Sequence, residues 1–258
     1  MKRLLILILI VVAGVFLYLN KLSKDAPVYD LVIKNGNAFV DGSKDLQKVN
    51  IGINGDSIAE ISKYQLYGRE IINAKNHIVL PGFIHIEEED YNPNLHQTFI
   101  KNGITTVLYL EDEPKKIVHQ PTELNFGFIS PALIKDANYA DLSQRVDDHK
   151  FCKKSNIIYS TEMEKGQFLN NLKKMTDENL LTWEDVSTRC SKNIVELTKK
   201  NIPIMKKRGT LKTGNAADIL VIPSCCQKTK NPIQLVFING DLVSKVHLEK
   251  PENKKPSH

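Results

Sequence analysis

Cysteine is scarce in this chain, and the four present are poorly placed for chemistry. No C-x-x-C pair and no zinc-ligand spacing occurs, which excludes a redox dithiol and a cysteine-built metal site. Cys225 and Cys226 are adjacent, and a bridge between neighbours is strained. The four read mostly as small buried hydrophobes, with a Cys152–Cys190 bridge left open. Positive charge is thin as well. Lys+Arg of 35 against Asp+Glu of 30 leaves a net +5, and the lysines are scattered rather than gathered on an Arg-rich face interleaved with aromatics. Nucleic acid is therefore not expected as a partner.

What remains is ordinary for a globular protein. With 258 residues, 41% hydrophobic and 25% charged, the chain can bury a real core as one large domain or two small ones. Its start is less ordinary. "MKRLLILILIVVAGVFLYLNK" sets Lys2 and Arg3 before an unbroken apolar run from Leu4 to Leu19. No small-x-small site closes the run and no cysteine follows it for lipidation, so residues 1–24 read as an uncleaved transmembrane signal-anchor, with a cleaved secretory signal as the alternative. Either reading places the bulk of the chain outside the cytoplasm, with the membrane as a partner.

Strands dominate both ends. "YDLVIKNGNAFV" and "KVNIGINGDSIAEIS" alternate around Asn35-Gly36 and Asn54-Gly55, two hairpin signals, so residues 29–62 are expected to form a small antiparallel sheet. "RGTLKTGNAADILVIP" and "IQLVFINGDLVSKV" answer near the other end, punctuated by Gly209, Gly214 and Asn239-Gly240. Between them Thr182 stands as an N-cap with Asp185 three residues on, and Val186, Cys190, Ile194 and Leu197 follow at helical spacing. The polar tail 248–258 has too little apolar surface to pack.

One stretch raises a chemical question. In "HIVLPGFIHIEEEDYNPN" a hydrophobic strand runs into His85, Glu87, Glu89 and Asp90. Period-two alternation puts Glu87 and Glu89 on one face, where like charges repel unless something neutralises them. Hard oxygen ligands of this kind, with Asp112, suit a divalent cation such as Mg²⁺, Mn²⁺ or Ca²⁺. A solvated acidic cluster at a strand end is the plainer reading. His96 and His119 have polar flanks, "NPNLHQ" and "KKIVHQ", and read as surface residues.

"DLVIKNG", "VNIGINGDSIAEI" and "IINAKNHIVLPGFIHIE", taken with "NGITTVLYLED", "LTWEDVSTRCSKNIVEL" and "RGTLKTGNAADILVI", resemble the amidohydrolase superfamily, especially D-aminoacylases, dihydroorotases and related cyclic-amide hydrolases. The resemblance implies an α/β protein with a composite β-sandwich from both chain ends (28–82 and 205–247), flanking a metal-dependent (β/α)₈ barrel. In such proteins the first barrel strand ends Pro-Gly-[Phe/Leu]-Ile-Asp-x-His-x-His, and the two histidines bind zinc. Here His85 stands at the aspartate position and Glu87 and Glu89 at the histidine positions. Asp112 falls where D-aminoacylases carry a metal-binding cysteine.

Length departs too. About ninety residues separate Asp90 from Thr182, against the roughly 250 typical of a closed barrel, so residues 83–204 are expected to form a truncated barrel remnant. The missing part would carry the later metal ligands and the aspartate that deprotonates metal-bound water. Two functions stay open. One is a catalytically inactive pseudoenzyme with no cofactor that acts by binding, as a homo-oligomer or with a related full-length chain. The other is an active amide hydrolase with a carboxylate metal site at Glu87, Glu89 and Asp112, completed by another subunit.

Overall fold

The computed structural model describes residues 8–16, 26–41, 43–88, 90–111, 124–135, 137, 139–141, 155–160, 167–224 and 233–247. Glu89, Asp112, His119, Cys152, Cys225, Cys226, the tail 248–258 and most of residues 1–24 lie outside them.

In chain order the strands are β1 (Val28–Ala38), β2 (Gln47–Asn54), β3 (Ser57–Ser62), β4 (Tyr67–Asn73), β5 (His77–Pro81), β6 (Phe83–Glu87), β7 (Ile104–Leu110), β8 (Asn125–Ile129), β9 (Tyr139–Asp141), β10 (Ile157–Tyr159), β11 (Ile219–Pro223), β12 (Ile233–Ile238) and β13 (Asp241–His247). Eight of them form one sheet in the order β13-β12-β11-β5-β1-β2-β3, with β4 alongside β1. The two ends of the chain meet where β5 pairs antiparallel with β11, Leu80 opposite Leu220. Both strands are apolar on both faces, which suits a central position in a sheet. Leu31, Ile33, Val49, Ile51 and Ile53 pack into one core with Ile219, Val221, Leu235 and Phe237.

The Asn-Gly pairs do different jobs. Asn54 pairs with Ser57 across a two-residue turn in which Gly55 has φ 54. Asn239 (φ 50) and Gly240 (φ 86) make the type I′ pattern between β12 and β13. Asn35-Gly36 makes no hairpin: β1 runs straight through it, with a register shift between Ile33 and Gly36 and Asn35 at φ 61. The glycine is there for space, since a Cβ on Gly36 would collide with the Val79 side chain of β5.

A smaller parallel sheet, β6-β7-β8, follows. Its first crossover is the short helix α1 (His96–Lys101). Further on come α2 (Gln167–Asp177), α3 (Trp183–Ser187) and, through a π-helical turn over Thr188–Lys192, α4 (Asn193–Thr198). The cap on α3 is reciprocal: Thr182 Oγ1 accepts from Asp185 N at 3.0 Å, and Asp185 Oδ2 accepts from Thr182 N at 2.9 Å. Val186, Cys190 and Ile194 are fully buried, as the spacing predicts. Cys190 is a buried free thiol, and Cys152, the other half of the bridge left open by the sequence, lies outside the described residues.

The expected fold class needs correcting. The architecture is mixed α/β with sheets and few helices, in place of a sandwich, a barrel remnant and a transmembrane helix. Strands from the two chain ends join one continuous sheet. The parallel strands do not close into a cylinder among the described residues, because β9 and β10 pair only with each other. Helix covers both faces of β6-β7-β8: Phe99, Ile100, Leu169 and Leu172 pack on the side of Phe83 and Val107, and Ile194, Val195 and Met205 on the side of Ile84 and Ile86. Near the start, residues 8–16 are helical, and residues 1–7 and 17–25 on either side lie outside the described residues. No helix among the described residues is long and apolar enough to cross a membrane.

Candidate functional site

The candidate site starts at Gly82, which joins β5 to β6. Gly82 N donates to Asp218 O at 2.9 Å, and Ser191 Oγ donates to Gly82 O at 3.0 Å, so backbone and side chain from two other elements fix the entry of β6. A Cβ at position 82 would collide with Thr105 of β7. From there β6 runs parallel to β7, setting His85 beside Val107 and Glu87 beside Tyr109. All five residues of β6 are buried.

Burial changes the meaning of the acidic cluster. Glu87 is 7% exposed and His85 1%. His85 Nε2 and Glu87 Oε2 are 3.2 Å apart, so the imidazole and the carboxylate of one strand face satisfy each other. The imidazole lies against the Phe99 ring at 5.2 Å and the Tyr159 ring at 6.2 Å, and its Nδ1 makes no hydrogen bond. Glu88 points elsewhere and accepts from Tyr159 Oη at 3.2 Å. Burial raises the pKa of the Tyr109 phenol, and the negative charge of neighbouring Glu87 adds to the rise.

Of the three candidate ligands, Glu87 alone falls among the described residues, while Glu89 and Asp112 lie outside them. One Glu87 carboxylate oxygen is engaged by His85, and Tyr109 stands beside it on the next strand. Among the described residues no three His, Cys, Asp or Glu side chains are grouped to hold a metal ion.

His96 is a correction. It is 8% exposed rather than on the surface, its Nε2 makes no hydrogen bond, and its ring meets Tyr91 edge-on at 5.6 Å. Burial lowers its pKa. The polar flank that suggests a surface position is a 3₁₀ turn, Pro93–Leu95, held by Asn92 Oδ1 accepting from Asn94 N at 3.1 Å. The signal that would find it is the spacing of His96, Phe99 and Ile100, one helical face.

A second polar cluster is absent from the sequence reading. Arg208 and Asp218 form a buried ion pair. Arg208 Nη2 also donates to Asn125 Oδ1 at 3.2 Å and Asn239 Oδ1 at 3.0 Å, and Asn239 N donates to Asp218 Oδ1 at 2.9 Å. Asn125 Nδ2 continues to Thr105 O at 3.0 Å. These residues come from β8, the segments flanking β11 and the β12–β13 turn, so the cluster ties the parallel sheet to the large one. Burial lowers the Arg208 pKa to about 10, against the pull of Asp56, and the guanidinium stays charged at neutral pH.

No family model matches the chain. Among solved structures it is similar to a D-hydantoinase (dihydropyrimidinase) from Thermus sp., with 9% identity and a TM-score of 0.53 over 82% of this chain and 94% of that one. It is similar to an L-hydantoinase (dihydropyrimidinase) from Arthrobacter aurescens, with 11% identity and a TM-score of 0.55 over 84% and 96%. A third is an adenosine deaminase from Xanthomonas campestris with bound zinc, at 7% identity and a TM-score of 0.52 over 84% and 93%. Identities this low speak to fold alone. These neighbours are amidohydrolase-superfamily members, and the likeness of this chain to them is one of fold, over 82–84% of its length.

Proposed function

We propose that this chain is an amidohydrolase-fold protein whose first-strand metal position is closed by its own His85–Glu87 hydrogen bond, and that it acts by binding rather than by C–N hydrolysis. The observation that carries this reading is the 3.2 Å contact between His85 Nε2 and Glu87 Oε2 inside an apolar and aromatic setting. Zinc in a hydrolytic site needs imidazole or carboxylate ligands converging from several strands, with an open position for water. At β6 the imidazole and the carboxylate converge on each other. A bound partner in place of a substrate, such as a related full-length chain, fits a first-strand position filled by the chain's own His85–Glu87 contact.

The test uses the full-length protein and the substrates its resemblance suggests, N-acyl-D-amino acids and dihydroorotate-like cyclic amides. Turnover is measured with and without added Zn²⁺, Mn²⁺ and Mg²⁺. The reading expects none above the buffer rate in any condition. Metal-stimulated turnover that disappears in Glu87→Gln would instead establish a hydrolase with carboxylate ligands.

A further inference from the structure

Residues 8–16, "ILIVVAGVF", form a helix with no polar side chain and no buried one. All nine are exposed, the larger side chains from Val15 at 51% to Ile10 and Phe16 at 64%. A Cβ on Gly14 would meet nothing within 4 Å. At about 3.6 residues per turn the helix is apolar on every side. Five of its nine residues are β-branched and one is glycine, all weak helix formers. Helices in proteins draw most of their stability from packing an apolar face, and the fold buries no face of this one.

We propose that helix 8–16 is seated in a lipid bilayer, with the basic residues around it on anionic headgroups. Three observations choose this occupant. A groove on a protein partner, or the same helix of a second copy, covers one stripe about 100° wide and leaves the rest in water, whereas hydrocarbon covers the whole circumference. In hydrocarbon the backbone must satisfy its own N–H and C=O groups, which makes a helix of residues whose propensity alone does not. Charge agrees: Lys2, Arg3, Lys21 and Lys24 stand on either side in the sequence, and residues 1–24 contain no Asp or Glu, so the flanks are drawn to anionic lipid. The seat is in the apolar layer beneath those headgroups and requires no crossing.

Flotation of the full-length protein tests this. The protein is purified in detergent, mixed with vesicles of phosphatidylcholine and phosphatidylglycerol, freed of detergent and spun in a density gradient. The unsubstituted chain should rise with the vesicles, and Val12→Asp, which puts a charge in the middle of the helix, should stay at the bottom. The urea midpoint of Val12→Asp should be unchanged, because Val12 is 59% exposed and supports no core. A lowered midpoint would mean that the helix packs on the protein instead. Val12→Trp, in vesicles whose lipids are brominated on the acyl chains, should lose the emission that it adds to that of Trp183. Flotation that Val12→Asp leaves intact, or added emission that acyl-chain bromine leaves unquenched, would overturn the proposal. So would an unsubstituted chain that stays at the bottom, and a mass that then falls from dimer to monomer in Val12→Asp would give the helix to a second copy.

Discussion

His85 and Glu87 sit two residues apart on one face of β6 and bond to each other through Nε2 and Oε2 at 3.2 Å, with both side chains buried. A buried carboxylate without a partner is costly, so this contact answers how an acidic residue can occupy the interior of a parallel sheet.

Glu87→Gln should therefore destabilise the protein. Removing the carboxylate replaces a hydrogen bond to a charged acceptor with a weaker amide one, an effect of about 1–3 kcal/mol. Urea unfolding should show a lower midpoint with an unchanged slope. Stability equal to or above the unsubstituted protein would mean that repulsion, not pairing, governs Glu87.

The pH dependence of stability should carry a contribution from His96. Its folded pKa lies below the unfolded value of about 6.5, because burial disfavours the imidazolium. Below that value the unfolded state binds more protons than the folded one, so the contribution is complete above it and is lost as pH falls through it. His96→Gln should flatten the change in urea midpoint between pH 7.5 and 5.5. An equally steep dependence in the variant would place the titrating group elsewhere.

Arg208 and Asp218 should behave as a unit. Arg208→Met or Asp218→Asn alone breaks the buried pair and should cost about 3–5 kcal/mol, whereas the double variant Arg208→Met/Asp218→Asn should cost less than the sum of the two. A double-mutant cycle by denaturant unfolding measures the coupling. Strict additivity would show that the pair holds nothing together.

Local signals were legible in the sequence where they were self-contained. The Thr182–Asp185 cap and the Asn239-Gly240 turn need only a few adjacent residues, and both form. Asn35-Gly36 has the same letters as a hairpin, but the reason for its glycine is Val79, far along the chain. The Arg208 cluster is hidden for the same reason, since Asn125 and Asn239 reach it from distant segments. Around Glu87 the structure describes one neighbour on the same face, His85 two residues earlier, while Glu89 lies outside the described residues. The apolar run from Leu4 to Leu19 resembles a span by composition, and only residues 8–16 of it fall among the described residues, where they are helical.

The most direct test of the account is metal stoichiometry. The full-length protein and its Glu87→Gln variant, purified in parallel and exposed to equal excess zinc, are passed through a desalting column and measured by elemental analysis. If Glu87 is held by His85, the unsubstituted protein carries less than one equivalent of zinc and the variant carries the same amount. One full equivalent in the unsubstituted protein, lost in Glu87→Gln, would contradict the account and make β6 a metal-binding strand.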